Sequence, residues 1–229
     1  MVLLELTQVT EAVLLIIGAV LPVVNPLADA PIFLRMTLGC DESTRAFLAS
    51  RIAFYSFFLL LGSLLLGSFV LQIFGISIPV VQVAGGAVVC ALGWSLLADN
   101  FKATDVILDA DHAKTFALGR VITPLTLPMT IDAGAISVAI TVGANHAHSI
   151  KNTAIQLVAA VIGATIIALM ILLIYRYAHR VSQYIGSIGM KVIVRLSAFI
   201  MLCIGVSISW SGIKALLLEV GIHSIVVTQ

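Results

Sequence analysis

Charged residues are scarce in this sequence. Only 10% of its 229 residues are Asp, Glu, Lys or Arg, against about 25% in soluble domains. Hydrophobic residues make up 61%, and the mean hydropathy is +1.17. The formal net charge of +1 comes without a basic cluster, so no nucleic acid partner is expected. This composition predicts an integral membrane protein whose surroundings are the lipid bilayer.

Cysteine and catalytic motifs are also poorly represented. Cys40, Cys90 and Cys203 are scattered and form no CxxC pair, so neither a disulfide framework nor a redox centre is expected. The sequence has no H-E-x-x-H zinc motif, no G-x-S-x-G elbow and no phosphate-binding Walker loop. We therefore expect no enzyme activity, no metal and no cofactor.

Long apolar runs dominate the chain instead. A transmembrane helix needs about 20 mostly apolar residues, and six stretches reach that length: 12–34, 50–72, 78–98, 121–142, 153–175 and 193–216. The pattern predicts an all-α polytopic membrane protein with six transmembrane helices. The polar stretch 99–120 is predicted to be a cytoplasmic linker between a first three-span unit (1–98) and a second (121–229).

Prolines interrupt the first and fourth predicted spans. The motif Pro22 to Pro31 lies inside the first, and Thr123 to Gly134 lies inside the fourth. Proline lacks a backbone N–H and obstructs the carbonyl four residues earlier, so both helices are predicted to break. Broken helices at corresponding positions of two halves are the best sequence pointer to a transporter's binding site.

Basic residues predict the orientation. Ten of the twelve Lys and Arg residues follow spans one, three and five, and only Lys151 and Lys214 belong to the other side. The positive-inside rule then puts both termini outside the cytoplasm, in a multi-pass plasma (inner) membrane protein. Three spans per unit would insert the second unit upside down, which predicts an inverted repeat.

Two acidic residues fall inside predicted spans, where an ionisable group is a site hypothesis by default. Asp132 is near the centre of its run and Asp29 lies closer to the cytoplasmic end. Each could instead cap the half-helix that follows. The candidate substrate-binding residues at the two breaks are Asn25, Pro26, Asp29, Thr126, Pro128, Thr130, Asp132 and Gly134. Half-helix ends and these side chains suit a small zwitterion, with a proton or sodium as coupling ion.

The motifs Asn25-Pro26-Leu27…Pro31-Ile32-Phe33 and Pro124-Leu125…Pro128…Gly134-Ala135-Ile136, with the pair Gly85-Gly86, resemble the MarC family of integral membrane proteins, also called the neutral amino acid transporter family. The resemblance implies secondary transport of small neutral amino acids. Asp132 stands where the family usually has small apolar residues. The alternative is a non-transporting membrane scaffold or regulatory protein that uses the same polar residues for packing. The oligomeric state does not follow from the sequence.

Overall fold

A computed structural model describes residues 2–37, 40–98, 121–149 and 153–227, and these residues contain helices and no strand. The helices are α1 (Val2–Val24), α2 (Pro26–Met36), α3 (Glu42–Ile73), α4 (Ile78–Ala98), a π-helical segment (Val121–Thr130), α5 (Ala133–Ser149), α6 (Thr153–Arg176) and α7 (Ala178–Val227). Helix α7 is kinked at Gly186, whose φ of 70° is not helical. The linker predicted at 99–120 lies outside the described residues, so the division into units 1–98 and 121–229 stays a prediction.

Five helical stretches are long and apolar enough to cross a membrane: Leu6–Leu34, Glu42–Ile73, Ile78–Ala98, Ala154–Arg176 and Lys191–Leu218. They correspond to five of the six predicted spans. The predicted fourth span, 121–142, is divided between the π-helical segment and α5, whose apolar part, Ala133–Ala144, is too short to count as a span by itself. The chain is therefore a multi-pass membrane protein.

Both proline-rich motifs interrupt their helices, but not at the prolines. Pro22 and Pro31 lie inside α1 and α2, and the chain leaves helical geometry between them only at Asn25. Pro124 and Pro128 lie inside the π-helical segment, and the second break follows at Ile131 and Asp132. A π-helix is rare and is often found at functional sites.

The most extensive helix pairing joins α4 to α7. The two helices run antiparallel, because Gly86 faces Gly205 and Ser209, whereas Gly93, further along α4, faces Ala198 and Leu202. A Cβ added at Gly86 would lie 2.6 Å from the carbonyl oxygen of Gly205. Small residues of this kind let helix backbones approach closely in a bilayer.

In the remaining pairings, helices of each half of the chain pack against the interrupted span of the other half. Helix α3 packs against the π-helical segment and α5, and α6 packs against α1 and α2. In the same way, α4 packs against α5 and α7 packs against α1 and α2. The interrupted spans are thus enclosed by α3, α4, α6 and α7, and the buried apolar side chains between them form one continuous core.

Candidate functional site at the two helix breaks

Asn25 forms the first break by itself. Its N–H donates to the carbonyl of Leu21 (2.9 Å) and completes α1, while its own carbonyl accepts from the N–H of Ala28 (3.0 Å) and begins α2. Its φ of 45° lies in the left-handed region, which asparagine tolerates better than most residues. Pro26 then starts α2 at the first helical position, where proline is favoured because its missing N–H costs nothing.

The carboxamide of Asn25 is buried, with 8% of the residue exposed. Its Nδ2 has no hydrogen-bond partner among the described residues. A buried donor without a partner costs about 1–3 kcal/mol, and native structures rarely leave one without a reason. A bound ligand would satisfy this donor.

The second break is built around Asp132. The Asp132 Oδ1 atom accepts a hydrogen bond from the backbone N–H of Ala135 (2.7 Å), so the carboxylate caps the N-terminus of α5. The capping role that the sequence left open for Asp132 is therefore present. Asp29 does not cap α2. It lies in the first turn of that helix, where its own N–H donates to the carbonyl of Asn25 (3.3 Å).

Tyr175 connects the two breaks. Its hydroxyl oxygen lies 3.0 Å from the Thr130 Oγ1 atom at the end of the π-helical segment. Its ring stacks on Phe33 of α2, with centroids 4.7 Å apart and planes 11° apart. Thr130 uses its only hydroxyl hydrogen on the carbonyl of Leu125 (2.8 Å), so Tyr175 is the donor in the Thr130–Tyr175 bond.

Asp29 and Asp132 come from different broken spans and are close enough to interact electrostatically. Tyr175 also lies within electrostatic range of Asp29. No described lysine or arginine side chain is a partner of either carboxylate. Both residues are partly buried among the helices that surround the two breaks. Two acids without a basic partner are complementary to a positively charged group.

The other predicted site residues have structural surroundings. Thr126 is fully buried, and its hydroxyl donates to the carbonyl of Val121 (2.7 Å) within the π-helical segment. Gly134 is buried against α4, where an added Cβ would lie 2.8 Å from the Val89 Cγ2 atom. The backbone of Pro128 belongs to the π-helical segment, and its side chain lies outside what the structure describes.

Sequence reasoning missed Tyr175 and Phe33. Tyr175 is the penultimate residue of α6, and aromatic residues at span ends are ordinarily interfacial anchors. Both side chains are instead fully buried. The available signal was Tyr175 itself, a hydroxyl-bearing aromatic residue at the end of an otherwise apolar span. Its position places the cluster near the ends of α2 and α6.

The structure thus brings together two carboxylates and a hydroxyl pair from the two broken spans, and Asn25 adds a buried carboxamide donor at the first break. A carboxamide N–H₂ and the N-terminus of a helix suit an anionic group. The carboxylates suit an ammonium group or a cation. These groups are chemically complementary to a small molecule that carries both charges.

Comparison with known proteins gives matches that cover most of the chain. The model of the MarC family, described as integral membrane proteins, matches residues 10–217. The Bacillus subtilis membrane protein YvbG is 28% identical over 194 residues, which cover 84% of this chain and 89% of YvbG. The Escherichia coli inner membrane protein MarC is 26% identical over 202 residues, covering 84% of this chain and 90% of its own length. No solved structure matches. The chain therefore belongs to the MarC family of integral membrane proteins.

Proposed function

We propose that this protein is a secondary transporter of small neutral amino acids, with its substrate site at the two helix breaks. The observations that carry the proposal are the buried, unpartnered Asn25 Nδ2 at the first helix break and the interacting pair of carboxylates contributed by the two broken spans. Transporters place their sites at such discontinuous helices. A purely structural polar cluster would be expected to satisfy its own donors.

The two ends of an amino acid match different parts of this site. Its carboxylate would accept from the Asn25 Nδ2 atom and lie near the N-terminus of α2, whose dipole favours negative charge. Its ammonium group would lie between Asp29 and Asp132. One substrate ammonium balances only one of the two carboxylates, so a coupling proton or sodium ion would balance the other.

An inverted repeat would explain how such a site opens to each side in turn. The reciprocal packing of α3 with the fourth span and α6 with the first supports two units of three spans related by pseudo-symmetry. In transporters of this kind, one unit rocks against the other around a fixed site. The antiparallel α4–α7 pair would be the contact between the corresponding third helices of the two units.

The proposed setting is the plasma membrane, with both termini extracytoplasmic, no enzyme activity and no nucleic acid partner. The bias of ten to two in basic residues supports this orientation. Periplasmic and cytoplasmic reporters fused after Gln229 test it directly. Activity of the cytoplasmic reporter at that position would contradict the orientation.

Uptake by proteoliposomes tests the transport proposal. Purified protein would be reconstituted and offered a panel of radiolabelled neutral amino acids under an imposed proton or sodium gradient. We expect uptake of at least one of them, reduced in Asn25→Gly and unchanged in Gly62→Ala, which has no atom within 4 Å of its added Cβ. Absence of uptake for the whole panel under both gradients would favour a non-transporting membrane scaffold or regulatory protein.

A further inference from the structure

A second polar site lies where three helix ends meet. The start of α3, the end of α6 and the start of α7 enclose a cavity of about 240 Å³. The residues that line it are Glu42, Arg45, Arg176, Tyr177, His179 and Arg180. Three arginines face one glutamate, so the cavity is electropositive. None of these residues belongs to the cluster at the helix breaks.

The arginines are arranged to receive a ligand rather than only to mark the cytoplasmic side. Arg45 is held in place by a hydrogen bond from its Nη2 atom to the carbonyl of Cys40 (2.8 Å). Its Nε atom is buried and has no hydrogen-bond partner among the described residues. Arg176 and Arg180 are exposed, and the Arg180 guanidinium lies 5.7 Å from the centre of the Tyr177 ring.

We propose that this cavity binds a phosphate-bearing anion, with Arg45, Arg176 and Arg180 as its ligands. Planar guanidinium groups match phosphate oxygens in forked pairs. The cavity is smaller than the roughly 300–1,000 Å³ of sites for drug-sized ligands, which suits a headgroup. Arg176 is the last residue of a membrane span, so the headgroup of an anionic phospholipid is the favoured source.

Titration of the purified full chain with phosphatidylglycerol in mixed detergent micelles, followed by native mass spectrometry, tests this site. Arg45→Gln, Arg176→Gln and Arg180→Gln should each weaken lipid binding about five- to tenfold, the effect of roughly one lost basic contact. Arg51→Gln is the matched control, because Arg51 lies on α3 outside the cavity, over the Phe47 ring at 5.1 Å. Its loss changes the net charge equally.

Two further measurements separate the source of the ligand from a folding effect. The first is a thermal-shift titration with inorganic phosphate in the absence of lipid. If phosphate binding depends on the three arginines and phosphatidylglycerol binding does not, the ligand of this cavity is a soluble anion. Arg176→Lys keeps the charge and the exposed position but loses the forked geometry, so it should fall between wild type and Arg176→Gln. Equal weakening by Arg51→Gln, or no dependence on the three arginines for either probe, would overturn the proposal.

Discussion

The bond between Thr130 and Tyr175 gives the sharpest test of the site's architecture. Tyr175→Phe removes the hydroxyl that donates to the Thr130 Oγ1 atom but keeps the ring that stacks on Phe33. Thr130 retains its own bond to the Leu125 carbonyl, so only one acceptor position is left empty. The expected loss is that of one hydrogen bond, about 0.5–1.5 kcal/mol.

The expected loss of stability can be converted into a change in the midpoint temperature of unfolding, Tm. A change of 1 kcal/mol shifts the unfolding midpoint of a chain of this length by about 2–4 °C, so Tyr175→Phe should lower Tm by about 1–6 °C. Tyr175→Ala also removes the stacked ring and leaves a cavity in a fully buried position. That loss is about 3–5 kcal/mol for an aromatic residue, and its Tm should fall several times further.

A double-mutant cycle isolates the bond from the packing. Thermal unfolding in detergent would be measured for Tyr175→Phe, Thr130→Val and the double variant. We expect the double variant to lose less than the sum of the single variants, with a coupling energy of about 0.5–1.5 kcal/mol. Strictly additive losses would refute the reasoning, because the two hydroxyls would then not be bonded to each other. Equal losses for Tyr175→Phe and Tyr175→Ala would refute the packing role of the ring.

Three more perturbations test other parts of the fold and the site. Gly86→Ala should destabilise the α4–α7 pair by about 1–3 kcal/mol, whereas Gly62→Ala should be neutral or stabilising; equal Tm values for the two would contradict the close helix contact. Asn25→Ala and Asn25→Gly both remove the unpartnered carboxamide, so both should lose transport in uptake assays. The alanine variant should unfold more easily than the glycine variant by about 1–2 kcal/mol, because only glycine adopts the left-handed backbone without cost. Asp132→Asn keeps an oxygen that can cap α5 but loses the charge. It should therefore retain ligand binding in a thermal-shift assay and lose substrate accumulation driven by an ion gradient. Unchanged accumulation would leave Asp132 with its capping role alone.

The positions of five spans could be predicted from the sequence because they depend on local composition, although α3 begins at Glu42, eight residues before the predicted run 50–72. The apolar run 78–98 coincides with α4, and the run 153–175 differs from α6 by one residue. The prolines correctly located the two interruptions to within a few residues. The backbone conformation of each interruption could not be predicted. The left-handed Asn25 and the π-helical segment Val121–Thr130 depend on tertiary packing and not only on proline.

For the same reason, only some residues of the candidate site could be predicted from the sequence. Asp29 and Asp132 stood out because charge inside a span is costly. Tyr175 did not stand out in the sequence, because its partners Phe33 and Thr130 are 142 and 45 positions away in the chain. A single sequence contains the pattern of each helix but not the pairing between helices. A hydroxyl whose role depends on that pairing has no local signature.

Tyr175 is followed immediately by Arg176 and Tyr177, which line the basic cavity. The end of α6 therefore lies at both places, because Tyr175 contacts both broken spans and Arg176 and Tyr177 line the cavity proposed to bind an anion. Any shift of this turn changes the geometry of both. Because coupling between two binding equilibria is reciprocal, an anion that fixes the turn should change substrate affinity by the same factor by which substrate changes the affinity for the anion. The lipid composition of the membrane would then act as an effector of the protein and not only as its solvent.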